Sequence, residues 1–116
     1  MRVLVCGDRN WTDAAAIENR IAKLPSDSVI IEGGSPGADA IAGEIAERLG
    51  LGHVTYRAKW DVYGAAAGPM RNQQMLDEGR PELVVAFHAR APETKGTQDM
   101  VERARKRGLP IEEYRE

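Results

Sequence analysis

The chain has 116 residues, with 16 Lys and Arg against 18 Asp and Glu, a net charge of -2, 42% hydrophobic and only 5% aromatic residues. A chain of this length is expected to form one domain over residues 1–116, with enough buried surface to do without disulfides or metals. The charge balance argues against a general grip on nucleic acid, and interleaved charges with periodic apolar residues argue against disorder.

Cys6 is the single cysteine, so neither an intrachain disulfide nor a cysteine zinc site can form. It is expected as a small buried hydrophobe at a strand end. No apolar run has the length of a secretory signal or a membrane span, which points to a cytoplasmic protein with no membrane partner. The high Ala, Gly and Arg content fits a GC-rich bacterial or phage genome.

In chain order, Arg2 to Cys6 reads as a strand buried on both faces and stopped by Gly7-Asp8. Ile17, Ile21 and Leu24 follow helical spacing, with Thr12 or Asp13 as N-cap and Pro25 closing the segment. Ser28 to Glu32 is a second strand, stopped by Gly33-Gly34. From Ala38, apolar positions at Ile41, Ala42, Ile45, Ala46 and Leu49 mark a helix that Gly50 ends in a left-handed cap. A third strand is expected from His53 to Ala58, then a loop from Lys59 to Gly68, and a helix opened by Pro69 that ends near Gly79. Glu82 to Phe87 makes a fourth strand, Thr97 starts a helix with Met100, Val101 and Ala104 inward, and Leu109 to Tyr114 is the last strand. Alternation of strand and helix predicts a Rossmann-like three-layer αβα sandwich on a mainly parallel five-stranded sheet, with 3-2-1-4-5 as the expected order.

In such a sheet, ligands bind where loops leave the carboxyl ends of the strands. Those loops carry Gly7-Asp8-Arg9, the run Gly33-Gly34-Ser35-Pro36-Gly37-Ala38-Asp39, the stretch Gly68-Pro69-Met70-Arg71-Asn72, and His88 through Gly96-Thr97. Glycines admit close backbone approach, and the free amides of a helix start favour an anion, so the Gly33 to Asp39 loop reads as a phosphate loop. A plain strand-to-helix turn with Ser35 as N-cap is the alternative. Pro69 at the first helical position puts Arg71 and Asn72 in the first turn, where a cation suits the helix dipole poorly. Arg71 is therefore expected to face an anion or a carboxylate, Asp39 and Asp8 being the internal candidates, unless it is simply solvated. Asn72 both donates and accepts, which suits a ribose or a base edge.

Arg9, Lys59, Arg71, Arg90 and Lys95 all fall on loops or helix starts at one rim, which predicts a locally cationic crevice on an acidic molecule. A small anion fits it better than a long polyanion. Trp11, Trp60 and Tyr63 are placed either to stack on a base or to pack the core. His53 and His88 are too few for a metal site, and neither a metal nor a cofactor is expected.

Together these ordered motifs, with Ala86-Phe87 and Gly96-Thr97, resemble the SLOG superfamily of Rossmann-like proteins and its YspA-related (YAcAr) branch over nearly the whole chain. The superfamily includes the Lonely Guy phosphoribohydrolases, the DNA-processing protein A, and sensor domains for nucleotide-derived signals. The resemblance implies a crevice for a nucleotide or ADP-ribose-like ligand, with Gly33, Gly34, Gly37, Gly96 and Thr97 approaching phosphate and Arg71 and Asn72 meeting its anionic or sugar part. It also implies a homo-oligomer, dimer or tetramer. Where the Lonely Guy enzymes carry a Pro-Gly-Gly-x-Gly-Thr-x-Glu-Glu motif, this chain has His88-Ala89-Arg90 in place of Pro-Gly-Gly; Asp99 fills the first acidic position and Met100 replaces the second.

The leading expectation is a binding protein that senses or sequesters a nucleotide-derived molecule. The enzyme alternative is a phosphoribohydrolase cleaving the N-glycosidic bond of a nucleoside monophosphate, with Arg71 holding charge and Asp99 or Asp39 stabilising an oxocarbenium-like centre or orienting water. A single-stranded DNA contact module comes third, because the net acidity opposes it.

Overall fold

The computed structural model describes residues 1–89 and 95–116. Strand β1 (Arg2–Gly7) lies at the centre of a five-stranded sheet with β2 (Val29–Glu32), β3 (Gly52–Thr55), β4 (Leu83–His88) and β5 (Ile111–Arg115). The order is β3-β2-β1-β4-β5, as the alternation predicts, and every pairing is parallel. Unbroken apolar runs are needed because both faces of β1 and β4 are covered.

Successive residues of each strand serve opposite layers. Val3, Val5, Ile30, Val85 and Phe87 pack with Ile17 and Ile21 of α1 (Ala14–Ile21) and with Ala42, Ile45 and Ala46 of α2 (Ala38–Arg48). Leu4, Cys6, Ile31, Val84 and Ala86 face Met75 and Leu76 of one helix and Met100, Val101 and Ala104 of another. Each such large side chain, fully buried, contributes roughly 1.5–3 kcal/mol.

Several boundaries depart from the sequence reading, those of β1, β2, β4 and β5 by one or two residues. Of the two expected N-caps it is Asp13 that caps α1, its carboxylate accepting the amide of Ala16 at 3.2 Å, but the helix ends at Ile21, short of Pro25. Pro25 disfavours helical geometry at Leu24, so the chain turns early. Strand β3 stops at Thr55, three residues short of the expected Ala58, because β2 ends at Glu32 and the amide of Tyr56 takes its last carbonyl at 2.9 Å. The expected loop before Pro69 is mostly helical: α3 (Trp60–Tyr63), a 3-10 turn (Gly64–Ala66), then α4 (Ala67–Gly79). Pro69 is thus the third residue of α4, still within the turn whose amides have no intrahelical partner, and Arg71 falls in the second turn. Helix α5 (Lys95–Lys106) already includes Lys95 at its start. Gly50 has φ 75° and caps α2 as expected, its amide reaching Glu47 and that of Leu51 reaching Ala46.

Candidate functional site

Strand order reverses between β1 and β4, and at that switch the carboxyl ends of the strands open into a cleft of about 850 Å³. Cys6 and Gly7 form its floor. Ser35, Pro36 and Asp39 line one wall; Gly68, Pro69, Arg71 and Asn72 a second; Lys95, Gly96, Thr97 and Asp99 a third; Arg9 joins from the loop after β1.

The Gly33 to Asp39 loop is not an open phosphate cradle. Glu32 accepts the amide of Gly34, and Asp39 Oδ2 accepts the amides of Gly33 at 3.2 Å and Ser35 at 3.3 Å. A carboxylate in the first turn of α2 thus folds back onto loop amides that a ligand anion would otherwise use. Gly37, not Ser35, holds the N-cap position, with φ 83° and a hypothetical Cβ only 2.5 Å from the carbonyl oxygen of Asp8. Among the described residues, Gly33, Gly34, Gly37 and the buried Ala38 shape this wall from behind without facing the cleft.

Arg71 completes the closure. Its guanidinium donates to the carbonyls of Gly33 and Tyr56, and a Cβ on Gly33 would collide with it. Its Nε donates to Asn72 Oδ1 at 3.1 Å. Burial lowers the Arg71 pKa, while the nearby carboxylates of Asp39 and Glu32 oppose that. Asp39 is only 6% exposed. Burial, then the charge of Glu32, pushes its carboxyl up to about 7 against the opposing pull of the two amides and Arg71. Behind it, Glu32 also accepts from Thr55 Oγ1 and pairs with His53 at 2.7 Å, so His53 belongs to a buried brace under the loop.

The third wall is tied down by Asp8 and Asn72. Asp8 is fully buried, accepting the amide of Ala89 at 2.8 Å and the Thr97 hydroxyl at 2.7 Å, so it fixes the start of α5 instead of facing a ligand. Asn72 Nδ2 donates to the Gly96 carbonyl at 3.2 Å and to Asp99 Oδ2 at 3.0 Å, and Arg103 donates to the same oxygen at 2.8 Å. His88, expected to bind ligand, is buried in β4 with Nε2 against Glu113 at 2.9 Å and does not reach the cleft.

Among the described residues the expected cationic crevice is balanced: Arg9, Arg71 and Lys95 share its lining with Asp39, Asp99 and Glu102. Lys59 is exposed outside it, and Arg90 lies outside the described residues. Trp60, 57% exposed, lies over Gly68 at the cleft, whereas Trp11 is core, edge-on to Phe87 at 5.1 Å. Sequence reasoning missed Cys6, Met75, Gln98 and Glu102 as lining residues. Helical spacing held the signal for two of them, since Met75 follows Arg71 by four positions and Glu102 follows Asp99 by three. Among the described residues no cluster of three or more His, Cys, Asp and Glu could hold a metal, and no helix is long and apolar enough to cross a membrane.

The model of the YspA, cpYpsA-related SLOG family matches residues 1–63, which carry β1 through α3. Gene 61 protein of Mycobacterium phage D29 is 31% identical over 119 residues, covering 95% of this chain and 93% of that protein. Among solved structures, DNA processing protein A from Streptococcus pneumoniae superposes with a TM-score of 0.61 at 18% identity. That match takes in 95% of this chain but 57% of the other, and the likeness is one of fold.

Proposed function

Because the chain belongs to the YspA, cpYpsA-related SLOG family, we propose that it binds a nucleotide or a nucleotide-derived, ADP-ribose-like small molecule in the cleft, as a sensor or a sequestering protein. The supporting observation is the cleft itself. Its volume of about 850 Å³ lies in the range of small-molecule sites, and it combines an exposed indole, Trp60, with cationic heads from Arg9, Arg71 and Lys95. Trp60 stacks on the base, and the cations meet phosphate.

Calorimetric titration with AMP, ADP and ADP-ribose tests this reading. Saturable one-to-one binding by at least one of them is expected. Trp60→Ala should weaken it about tenfold, the scale of one lost base–aromatic stack, without touching the fold. No heat from any of the three at millimolar concentration overturns the reading.

One observation favours a second reading, hydrolysis of the N-glycosidic bond of a nucleoside monophosphate. Asp39, with its carboxyl near 7, carries a proton at neutral pH for part of the time, as a general acid must. It would give that proton to the departing base while water adds at C1′ of the ribose and returns a proton to the carboxylate, so that AMP and water yield adenine and ribose 5-phosphate. Free base released from AMP by the wild type, and lost in Asp39→Asn, is the outcome this reading requires; bound but intact AMP after long incubation rejects it.

A further inference from the structure

Asp39 Oδ2 is fully used, accepting the amides of Gly33 and Ser35. Its other oxygen, Oδ1, has no protein hydrogen bond among the described residues, although the side chain is more than nine-tenths buried and lines the cleft. Oδ1 is thus a largely shielded acceptor that stays open to solvent on one side, where a ligand donor can displace water. The chemistry around it decides what that donor is.

A phosphate does not fit here. The amides of Gly33, Gly34 and Ser35 are already taken by Asp39 and Glu32, so a phosphate placed against Oδ1 would meet the Asp39 carboxylate without those loop amides to offset it. A ligand cation does not fit either. The Arg71 guanidinium occupies the neighbouring position, near enough that a Cβ on Gly33 would lie 2.5 Å from the guanidinium and 3.0 Å from Asp39 Oδ2. A neutral O–H donor suffers from neither conflict.

We infer that Asp39 is a specificity-determining residue that accepts a hydrogen bond from a sugar hydroxyl of the bound nucleotide, so that the α2 wall reads ribose and refuses phosphate. This rests on the nucleotide-binding reading above and adds the orientation of the ligand: sugar towards Ser35 and Asp39, phosphate towards other walls. Asp39→Asn is the informative variant, because its amide oxygen can keep the two loop amides while an NH₂ group replaces the open oxygen.

The test is calorimetry about one unit above the Asp39 pKa, near pH 8, with AMP and ADP-ribose, each against its 2′-deoxy and 3′-deoxy forms, and with inorganic phosphate. For the wild type, loss of the relevant hydroxyl is expected to weaken binding about tenfold to a hundredfold, the scale of a hydrogen bond to a charged group. In Asp39→Asn that preference should fall several-fold, towards a neutral hydrogen bond, while affinity for inorganic phosphate rises. Equal binding of ribo and deoxy forms by the wild type overturns the inference and leaves the nucleotide reading standing. So does a folded Asp39→Asn that keeps the full preference. If the variant does not fold, the wild-type series alone decides. No binding of AMP or ADP-ribose to the wild type overturns the inference together with the reading it rests on.

Discussion

Asp39 links the site to stability through its proton. Its carboxyl sits near 7 in the folded chain against 3.8 for an ordinary aspartate. The folded state therefore binds that proton more tightly than the unfolded one, and the stability so gained is complete below the lower value and lost as pH rises through the higher. Asp39→Asn carries no such loss, so its stability relative to the wild type should improve by about 2 kcal/mol between about pH 5 and pH 8. Urea unfolding at the two pH values checks this, and a difference moving the other way would mean that the carboxyl is not desolvated. Gly37 makes a second residue-scale test. At φ 83° and ψ -129°, with Asp8 O in the way of any Cβ, Gly37→Ala should cost about 2 kcal/mol or more. At this scale Arg71, Asn72, Gly96 and Thr97, singled out from the loops that carry them, and Asp99, singled out from the resemblance, all line the cleft. It misplaced Asp8 and His88, because loop position says nothing about which way a side chain turns, and both turned inward to buried partners.

At the scale of elements, strands were legible because burial on both faces writes unbroken apolar runs, and the sheet order followed from their alternation with helices. Strand β3 was overextended, since Tyr56-Arg57-Ala58 continues a strand-like pattern but its neighbour β2 has already ended. Helix α3 was invisible: its four residues are too short to show a period. What the pattern also could not reveal is how the start of α5 is held. Asp8 takes the Thr97 hydroxyl and the Ala89 amide, linking the centre of the sheet to the third wall of the cleft. Removing that carboxylate withdraws the acceptor shared by the Ala89 amide and the Thr97 hydroxyl, so Asp8→Ala should cost about 2 to 4 kcal/mol. Hydrogen exchange should show the loss concentrated in the first turn of α5 while α1, on the opposite face, keeps its protection. Uniform loss across both helices would mean that Asp8 braces the whole sheet and not one wall.

For the whole molecule, the distribution of charge separates a small ligand from a polymer. Acids outnumber bases 18 to 16 over the chain, and among the described residues of the cleft Arg9, Arg71 and Lys95 are matched by Asp39, Asp99 and Glu102. Local hydrogen bonding, not a long-range field, must then fix the ligand, because a balanced set of charges projects little potential beyond a Debye length of about 8 Å at physiological salt. A single-stranded oligonucleotide gains affinity mainly by releasing counterions, with a logarithmic salt slope of about -0.7 per phosphate neutralised. If all three cleft cations engaged phosphates, the slope would still be no steeper than about -2, and the facing acids reduce it further. Titrating a thymidine oligonucleotide between low and physiological salt should therefore give weak binding with a shallow slope, while nucleotide affinity changes little. A slope of about -4 or steeper with tight binding would require a basic track beyond the cleft, and it would replace the proposed small-molecule function with the gripping of a strand.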